Sequence, residues 1–226
     1  MTERPCYKQP EFTARIKARL GVDLGDVACH IVNEDGMASV MGRAGWSRND
    51  AGGVVGFQLG RDVYVLEGAN WTTLHELVHR SGINADRLNR FVAEGLTEAI
   101  AEALKTSPDE HRPTYPREVQ WIKGVLLPTL RMDAVSLGRV LAKASDAPAT
   151  LAKLIAQAKP GTDEAALRRE LAPQKPDAPS FNRVGSTSIT REPYPRTADR
   201  GTMGLGLVLV TAGAALLFAP ALRGRS

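Results

Sequence analysis

The sequence predicts an α+β fold in which a small mixed sheet is followed by a helical C-terminal part. Short segments rich in β-branched and aromatic residues lie between residues 28 and 66, whereas apolar residues recur at helical spacing from residue 71 to residue 171. Apolar residues make up 43% of the 226-residue chain and charged residues 24%. These values are ordinary for globular proteins and exclude wholesale disorder, collagen and a membrane protein with many spans.

The first part of the chain predicts one helix and four short strands. The helix covers residues 11–21, because an apolar stripe of helical period opens after Pro10 and closes at Gly21. The strands form two predicted hairpins, 28–32 with 37–41 and 53–59 with 63–66.

From residue 71 onward the pattern predicts helices alone, and glycine or proline residues separate most of them. The predicted helices cover residues 72–82, 85–106, 116–127, 133–145, 148–158 and 163–171. Together with the strands they form one predicted domain, residues 1–172, which is an ordinary size for a single domain.

The end of the chain predicts a membrane anchor. Residues 173–202 contain five prolines and few large apolar residues, which is typical of a flexible linker and here includes several arginines. Residues 203–222 carry no charge, and a helix of about 20 apolar residues spans a bilayer. We therefore expect one C-terminal transmembrane helix at 203–222, followed by the short tail 223–226.

The formal net charge of +4 belongs to this end of the chain. Of the 29 basic and 25 acidic residues, seven and three lie in residues 173–226, which leaves 22 of each kind in residues 1–172. Nucleic-acid binding depends on clustered Lys and Arg, so a neutral body gives no reason to expect a nucleic-acid partner.

The expected topology is that of a single-pass, tail-anchored protein with its body in the cytoplasm. The first residues contain no apolar stretch of the kind found in secretory signals. In the cytoplasm Cys6 and Cys29 are expected to be free thiols, and two cysteines are too few for a disulfide framework.

One motif carries chemistry: His75-Glu76-Leu77-Val78-His79 has the H-E-x-x-H pattern. Because the two histidines are one helical turn apart, both imidazoles leave the same face of a helix and can bind one zinc ion. Glu76 lies beside them, where a carboxylate can take a proton from a zinc-activated water. Thr73 offers a structural alternative for Glu76, namely a capping box.

A catalytic zinc site needs a third protein ligand and one open position. The nearby acids Asp86, Glu94 and Glu98 are the candidates, since the other histidines, His30 and His111, are distant in sequence. Glu94 and Glu98 lie one turn apart on a predicted helix, so one can ligate zinc while the other orients a histidine. The residues alone leave open which of Glu94 and Glu98 is the ligand.

The two segments together resemble the gluzincin metallopeptidases, which take two zinc ligands from H-E-x-x-H and a glutamate from a following helix. The second segment reads Ala93-Glu94-Gly95-Leu96-Thr97-Glu98. The resemblance implies a zincin-like fold, with Glu94 as the third zinc ligand and Glu98 as an acid that supports the ligands. It also implies that a peptide substrate lies along the edge strand of the small sheet.

Catalysis also needs a donor for the oxyanion that forms on the attacked carbonyl. His111 and Tyr115 follow the glutamate-bearing helix, and Tyr115 resembles the tyrosine that many gluzincins use. The sequence thus predicts a membrane-tethered, zinc-dependent peptidase with Glu76 as general base. The alternative is a non-enzymatic membrane-anchored structural or interaction protein whose helical core is stabilised by zinc.

Overall fold

The computed structural model describes residues 6–46 and 53–173, which belong to one unit of the chain. Within these residues a small mixed sheet is combined with a majority of helices, so the predicted α+β class is confirmed. The predicted linker, transmembrane helix and tail lie outside the described residues, apart from Pro173. None of the helices that are described is both long and apolar enough to cross a membrane.

The sheet has three strands: β1 (Cys29–Val32), β2 (Gly56–Leu59) and β3 (Asp62–Leu66). Their order is β1-β3-β2, with β1 parallel and β2 antiparallel to the central β3. The hairpin predicted at 53–59 and 63–66 is therefore confirmed. It leaves β2 at an edge of the described sheet.

Helices account for most of the remaining described residues. They are α1 (Gln9–Leu20), α2 (Glu34–Arg43), α3 (Thr73–Arg80), α4 (Arg90–Leu104), α5 (Pro116–Trp121), α6 (Leu127–Leu130), α7 (Ala134–Lys143), α8 (Ala147–Ala158) and α9 (Glu164–Leu171). A π-helical turn, Ile122–Leu126, joins α5 to α6. Each predicted helix is present, but α4 begins five residues later than predicted because the Asn89 side chain caps it, accepting a hydrogen bond from Val92 N at 2.9 Å.

The hairpin predicted from 28–32 and 37–41 is wrong. Residues 37–41 lie in α2, and β1 pairs with β3 instead. Asn33, interpreted as a turn residue, caps α2 by accepting a hydrogen bond from Gly36 N at 2.9 Å. The buried residues Met37, Val40 and Met41 have the spacing of a helix face, so a cap and an amphipathic turn override the β-like composition.

The sheet separates two apolar clusters. Val63 and Val65 face the main core, to which α3 and α4 also contribute. Tyr64 points to the other face and packs with Met37 and Met41 of α2. This arrangement holds α3 between the sheet and the remaining helices.

Cys6 and Cys29 form a disulfide that ties the segment before α1 to the first residue of β1, with their Cα atoms 5.7 Å apart. The expectation of two free thiols is therefore wrong. The two cysteines are 23 positions apart in sequence, and their pairing depends on β1 lying beside the start of α1, which no local pattern reveals.

Candidate metal centre

Helix α3 buries polar side chains where a core helix ordinarily presents apolar ones. His75, Glu76 and His79 are only 4%, 6% and 8% exposed. Burying three titratable groups on a two-turn helix is unfavourable unless they are paired or bind an ion. Their placement therefore indicates a function beyond packing.

The two histidines and Glu94 of α4 direct one ligand atom each to a common point. His75 Nε2 lies 3.3 Å from Glu94 Oε2, and His79 Nε2 lies 3.1 Å from the same oxygen. One ligand atom of each of the three residues lies within 4.8 Å of the others. Two imidazoles and a carboxylate suit zinc, and three protein ligands leave one position of a tetrahedral site open. The residues thus fit a zinc ion by donor type and by convergence.

A hydrogen bond fixes the orientation of His79. Its Nδ1 lies 2.8 Å from the carbonyl oxygen of Ile83, and because a carbonyl only accepts, Nδ1 carries the hydrogen and donates it. The hydroxyl of Thr97 lies 3.2 Å from the same nitrogen and donates to Ile83 O at 3.1 Å. In the neutral imidazole this tautomer leaves the lone pair of Nε2 available for a metal.

Glu98 lies behind His75 and not among the three ligand atoms. Its Oε1 is 3.7 Å from His75 Nδ1, and its own position is fixed by Thr114, whose backbone N–H at 2.8 Å and hydroxyl both donate to Oε1. His111 Nε2 lies 2.5 Å from the other oxygen. A carboxylate held beside the distal nitrogen of a histidine orients that histidine and raises its basicity as a ligand.

Glu76 lies against the edge strand. A Cβ atom at Gly56 of β2 would be 2.8 Å from Glu76 Cδ, so only glycine leaves room for the carboxylate there. Thr72 supplies a long hydrogen bond to Glu76 Oε1 at 3.4 Å. The capping box with Thr73 does not form, since α3 has no side-chain cap. The structural alternative for Glu76 thus has no support.

Tyr115 stacks on His75, with ring centroids 5.7 Å apart and an interplanar angle of 20°. Burial and the charge of Glu94 raise the pKa of its hydroxyl, which therefore stays protonated and able to donate. The charge of Arg90 lowers the pKa of this hydroxyl and the charge of Glu76 raises it.

Close packing between α4 and α5 positions the tyrosine. A Cβ atom at Gly95 would be 2.8 Å from the carbonyl carbon and oxygen of Glu118, which lies in the first turn of α5. Tyr115 is the residue immediately before α5. The glycine beside Glu94 therefore permits the approach that brings Tyr115 over the histidines.

Electrostatics favour a positive charge at the convergence point. Burial opposes protonation of His79, but the Glu94 carboxylate outweighs it and raises the pKa of His79 to about 9. Burial alone would raise the pKa of Glu94, yet His79 and His75 hold it far below its usual range. For Glu76 burial dominates and raises its pKa, as suits a group that accepts and returns a proton.

The structure brings together most of the predicted site residues. His75, Glu76, His79, Glu94, Glu98 and Tyr115 all lie in one region, whereas Asp86 is exposed and outside the cluster. His111 is buried beside Glu98 and stacks on His75. Sequence reasoning missed Thr97, Thr114 and the Ile83 carbonyl, because the contact of Thr97 depends on how α4 packs on α3 and the other two lie in loops whose conformation no motif specifies.

Comparison with known proteins identifies no relative: no protein-family model, curated protein or solved structure matches this chain.

Proposed function

We propose that this protein is a zinc-dependent peptidase of the gluzincin type, with a zincin-like catalytic domain. The observation that carries the proposal is the convergence of ligand atoms from His75, His79 and Glu94 within 4.8 Å of one another, with the buried carboxylate of Glu76 beside them. A bound zinc ion would polarise a peptide carbonyl and lower the pKa of a water to about 7.

Glu76 performs the proton transfers in this proposal. It accepts a proton from the water as that water's oxygen bonds to the carbonyl carbon, and it returns the proton to the amine nitrogen as the C–N bond breaks. Gly56 gives the carboxylate the space it occupies, and the raised pKa of Glu76 makes the return of the proton easier.

The remaining residues orient the histidines and the substrate and stabilise the oxyanion. Tyr115 donates a hydrogen bond to the developing oxyanion, a role for which its protonated hydroxyl is suited. The Ile83 carbonyl holds the His79 imidazole through a hydrogen bond, and the Glu98 carboxylate places a negative charge 3.7 Å from Nδ1 of His75. A peptide substrate would add to the sheet at β2, the edge strand that carries Gly56, by backbone hydrogen bonding.

A catalytic role agrees better with the site than a purely structural zinc. A structural zinc is closed by four protein ligands, whereas this cluster has three residues and a buried glutamate next to the first histidine. The buried Glu76 has no role in a site that only joins two helices.

The test is peptide hydrolysis by the full-length protein on a mixed peptide library, together with the metal content of the same samples. Glu76→Gln should lower the rate roughly 100-fold or more, since a general base contributes on that order. It should retain zinc. Glu11→Gln, at an exposed position of α1, is the matched control and should behave as wild type. A wild-type rate in Glu76→Gln, or a folded wild type without zinc, would overturn the proposal.

Membrane attachment through residues 203–222 stays a prediction, because that segment lies outside the described residues. One observation bears on which side of the membrane the domain occupies. The Cys6–Cys29 disulfide favours an oxidising compartment, since such bonds are rare in the cytosol, and so opposes the cytoplasmic expectation. Maleimide labelling of unreduced protein from its native cells tests this: unlabelled cysteines support the oxidising side, and two labelled cysteines support the cytoplasm.

A further inference from the structure

Arg90, the first residue of α4, lies at the rim of the metal centre. It precedes Glu94 by one helical turn, and its Nε is 3.6 Å from Glu94 Oε1. Its Cζ lies 5.9 Å from the ring centroid of Trp46, and both its charge and a side-chain hydrogen bond from it lower the pKa of the Tyr115 hydroxyl. The side chain nevertheless remains 58% exposed.

Glu94 does not form a normal hydrogen bond with the Arg90 guanidinium. The 3.6 Å separation exceeds a normal hydrogen bond, and the opposite oxygen of Glu94 is the one that meets the two histidines. Arg15 is an arginine with a structural role in the same protein, and its contacts differ. It is 20% exposed and donates to Glu110 at 2.7 Å and to the carbonyl of Leu104 at 2.8 Å.

Trp46 and Phe57 give Arg90 a rigid support. The Trp46 ring lies under the guanidinium and makes an edge contact with Phe57 of β2, with centroids 6.4 Å apart. A cation held over an aromatic ring loses little freedom when it binds, and the planar fork of arginine matches a carboxylate. The guanidinium is therefore connected through Trp46 to the edge strand, where a peptide would bind, and it also interacts with Tyr115, which would meet the attacked carbonyl.

We propose, on the basis of the peptidase function proposed above, that Arg90 binds a carboxylate of the substrate close to the scissile bond. The preferred substrates are then peptides that present a carboxylate there, either at the C-terminus or on an Asp or Glu side chain. Arg90 is thus the specificity-determining residue of the site.

The experiment measures peptide binding to full-length, zinc-loaded Glu76→Gln protein by calorimetry. The probes are N-acetyl-Ala-Phe and its C-terminal amide, and N-acetyl-Ala-Asp amide and N-acetyl-Ala-Asn amide. A charge-assisted pair should make one or both carboxylate peptides bind roughly tenfold or more tightly than their neutral partners. The first pair reports on a C-terminal carboxylate and the second on a side-chain carboxylate.

A second substitution assigns the preference to Arg90. Arg90→Gln should abolish it while leaving zinc content and the binding of neutral peptides unchanged, and Arg90→Lys should retain part of it. Arg61→Gln, at an exposed position between β2 and β3, should keep the full preference.

Equal binding of carboxylate and neutral peptides would overturn the inference. So would a preference that survives in Arg90→Gln, because the carboxylate would then bind the zinc, and so would loss of zinc in Arg90→Gln, because Arg90 would then act by positioning Glu94. Failure of the peptidase proposal has a different signature: wild-type protein that hydrolyses no peptide in the library, whatever its charge.

Discussion

Glu110 is buried and Glu94 is nearly so, and both carboxylates meet basic residues, yet their surroundings differ. Both oxygens of Glu110 are satisfied within the protein. Lys8 Nζ lies 3.2 Å from Oε1, and Arg15 Nη1 and the backbone N–H of Thr106 each donate to Oε2 at 2.7 Å. These contacts outweigh the cost of burial and lower the pKa of Glu110 to about 2.

Glu94 meets its partners in a different way. Its Oε2 faces the Nε2 atoms of two histidines at 3.1 and 3.3 Å, and these nitrogens are the atoms that a metal would use. The permanent cation near it, Arg90, stays at 3.6 Å and largely in solvent.

On the proposed function, the difference separates a carboxylate that stabilises the fold from one that would hold the metal. At Glu110 fixed charges and backbone donors complete the cluster, and the result ties α1 to the segment after α4. At Glu94 the partners are the metal-binding nitrogens of two histidines, so a bound cation shared by the three side chains would complete the cluster.

Chelation of the metal should therefore have the largest effect on stability. Removing zinc with EDTA should lower the free energy of unfolding by about 4 kcal/mol if the ion is present at about 1,000 times its Kd, since zinc would bind only the folded state. Thermal denaturation with and without EDTA measures this. His79→Ala should show little response to EDTA, and a wild type that is equally insensitive would contradict the account.

Glu110→Ala should have the next largest effect on stability. It leaves Arg15 without its buried partner and should cost about 3 kcal/mol, the low end for breaking a buried ion pair. Urea denaturation measures the loss. Zinc content should stay at the wild-type level, because Glu110 belongs to the cluster that needs no metal. Loss of zinc in this variant would remove the distinction between the two carboxylates.

The pH dependence of stability should report the titration of the Glu110 carboxyl. A carboxyl with a pKa near 4.5 when unfolded and about 2 when folded stabilises the fold above pH 4.5 and loses that effect as the pH falls through 2. Between pH 6 and pH 3 this amounts to about 2 kcal/mol. The measurement is urea denaturation of wild type and Glu110→Ala in EDTA. The difference between the two proteins should shrink by that amount, and a constant difference would refute the assignment.

Gly56→Ala should have the smallest effect and act on catalysis alone. The added Cβ would collide with the Glu76 carboxylate and displace it, so peptide hydrolysis should fall roughly tenfold, as expected for about 1.4 kcal/mol of lost transition-state stabilisation. Zinc content should not change. Gly42→Ala, where a Cβ meets nothing within 4 Å, is the matched control. An unaffected rate in Gly56→Ala would show that Glu76 does not act from its observed position.

The sequence was sufficient for features that depend on periodicity or on fixed spacing. The hairpin of β2 and β3, the helices from residue 71 onward and the one-turn spacing of His75 and His79 on α3 belong to this group, since turns and helix geometry decide them locally. Glu94 rather than Glu98 meets the histidines because of how α4 packs on α3, which the sequence left open.

Other features could be recognised only from the folded structure. Residues 37–41 have a β-like composition but follow the cap at Asn33, and the parallel pairing of β1 with β3 joins distant segments. The Cys6–Cys29 disulfide, the support of His79 by Ile83 and the contact of Gly56 with Glu76 are likewise long-range or loop-dependent. None of them has a signature in a single sequence.

The zinc content of four purified full-length proteins tests the central claim most directly. Wild type should contain about one zinc per chain, Glu94→Ala should lose it, and Glu98→Ala should bind it roughly 10- to 100-fold more weakly, because Glu98 only supports His75. Glu110→Ala should match wild type. A folded wild type without zinc, or full zinc content in Glu94→Ala, would contradict the account.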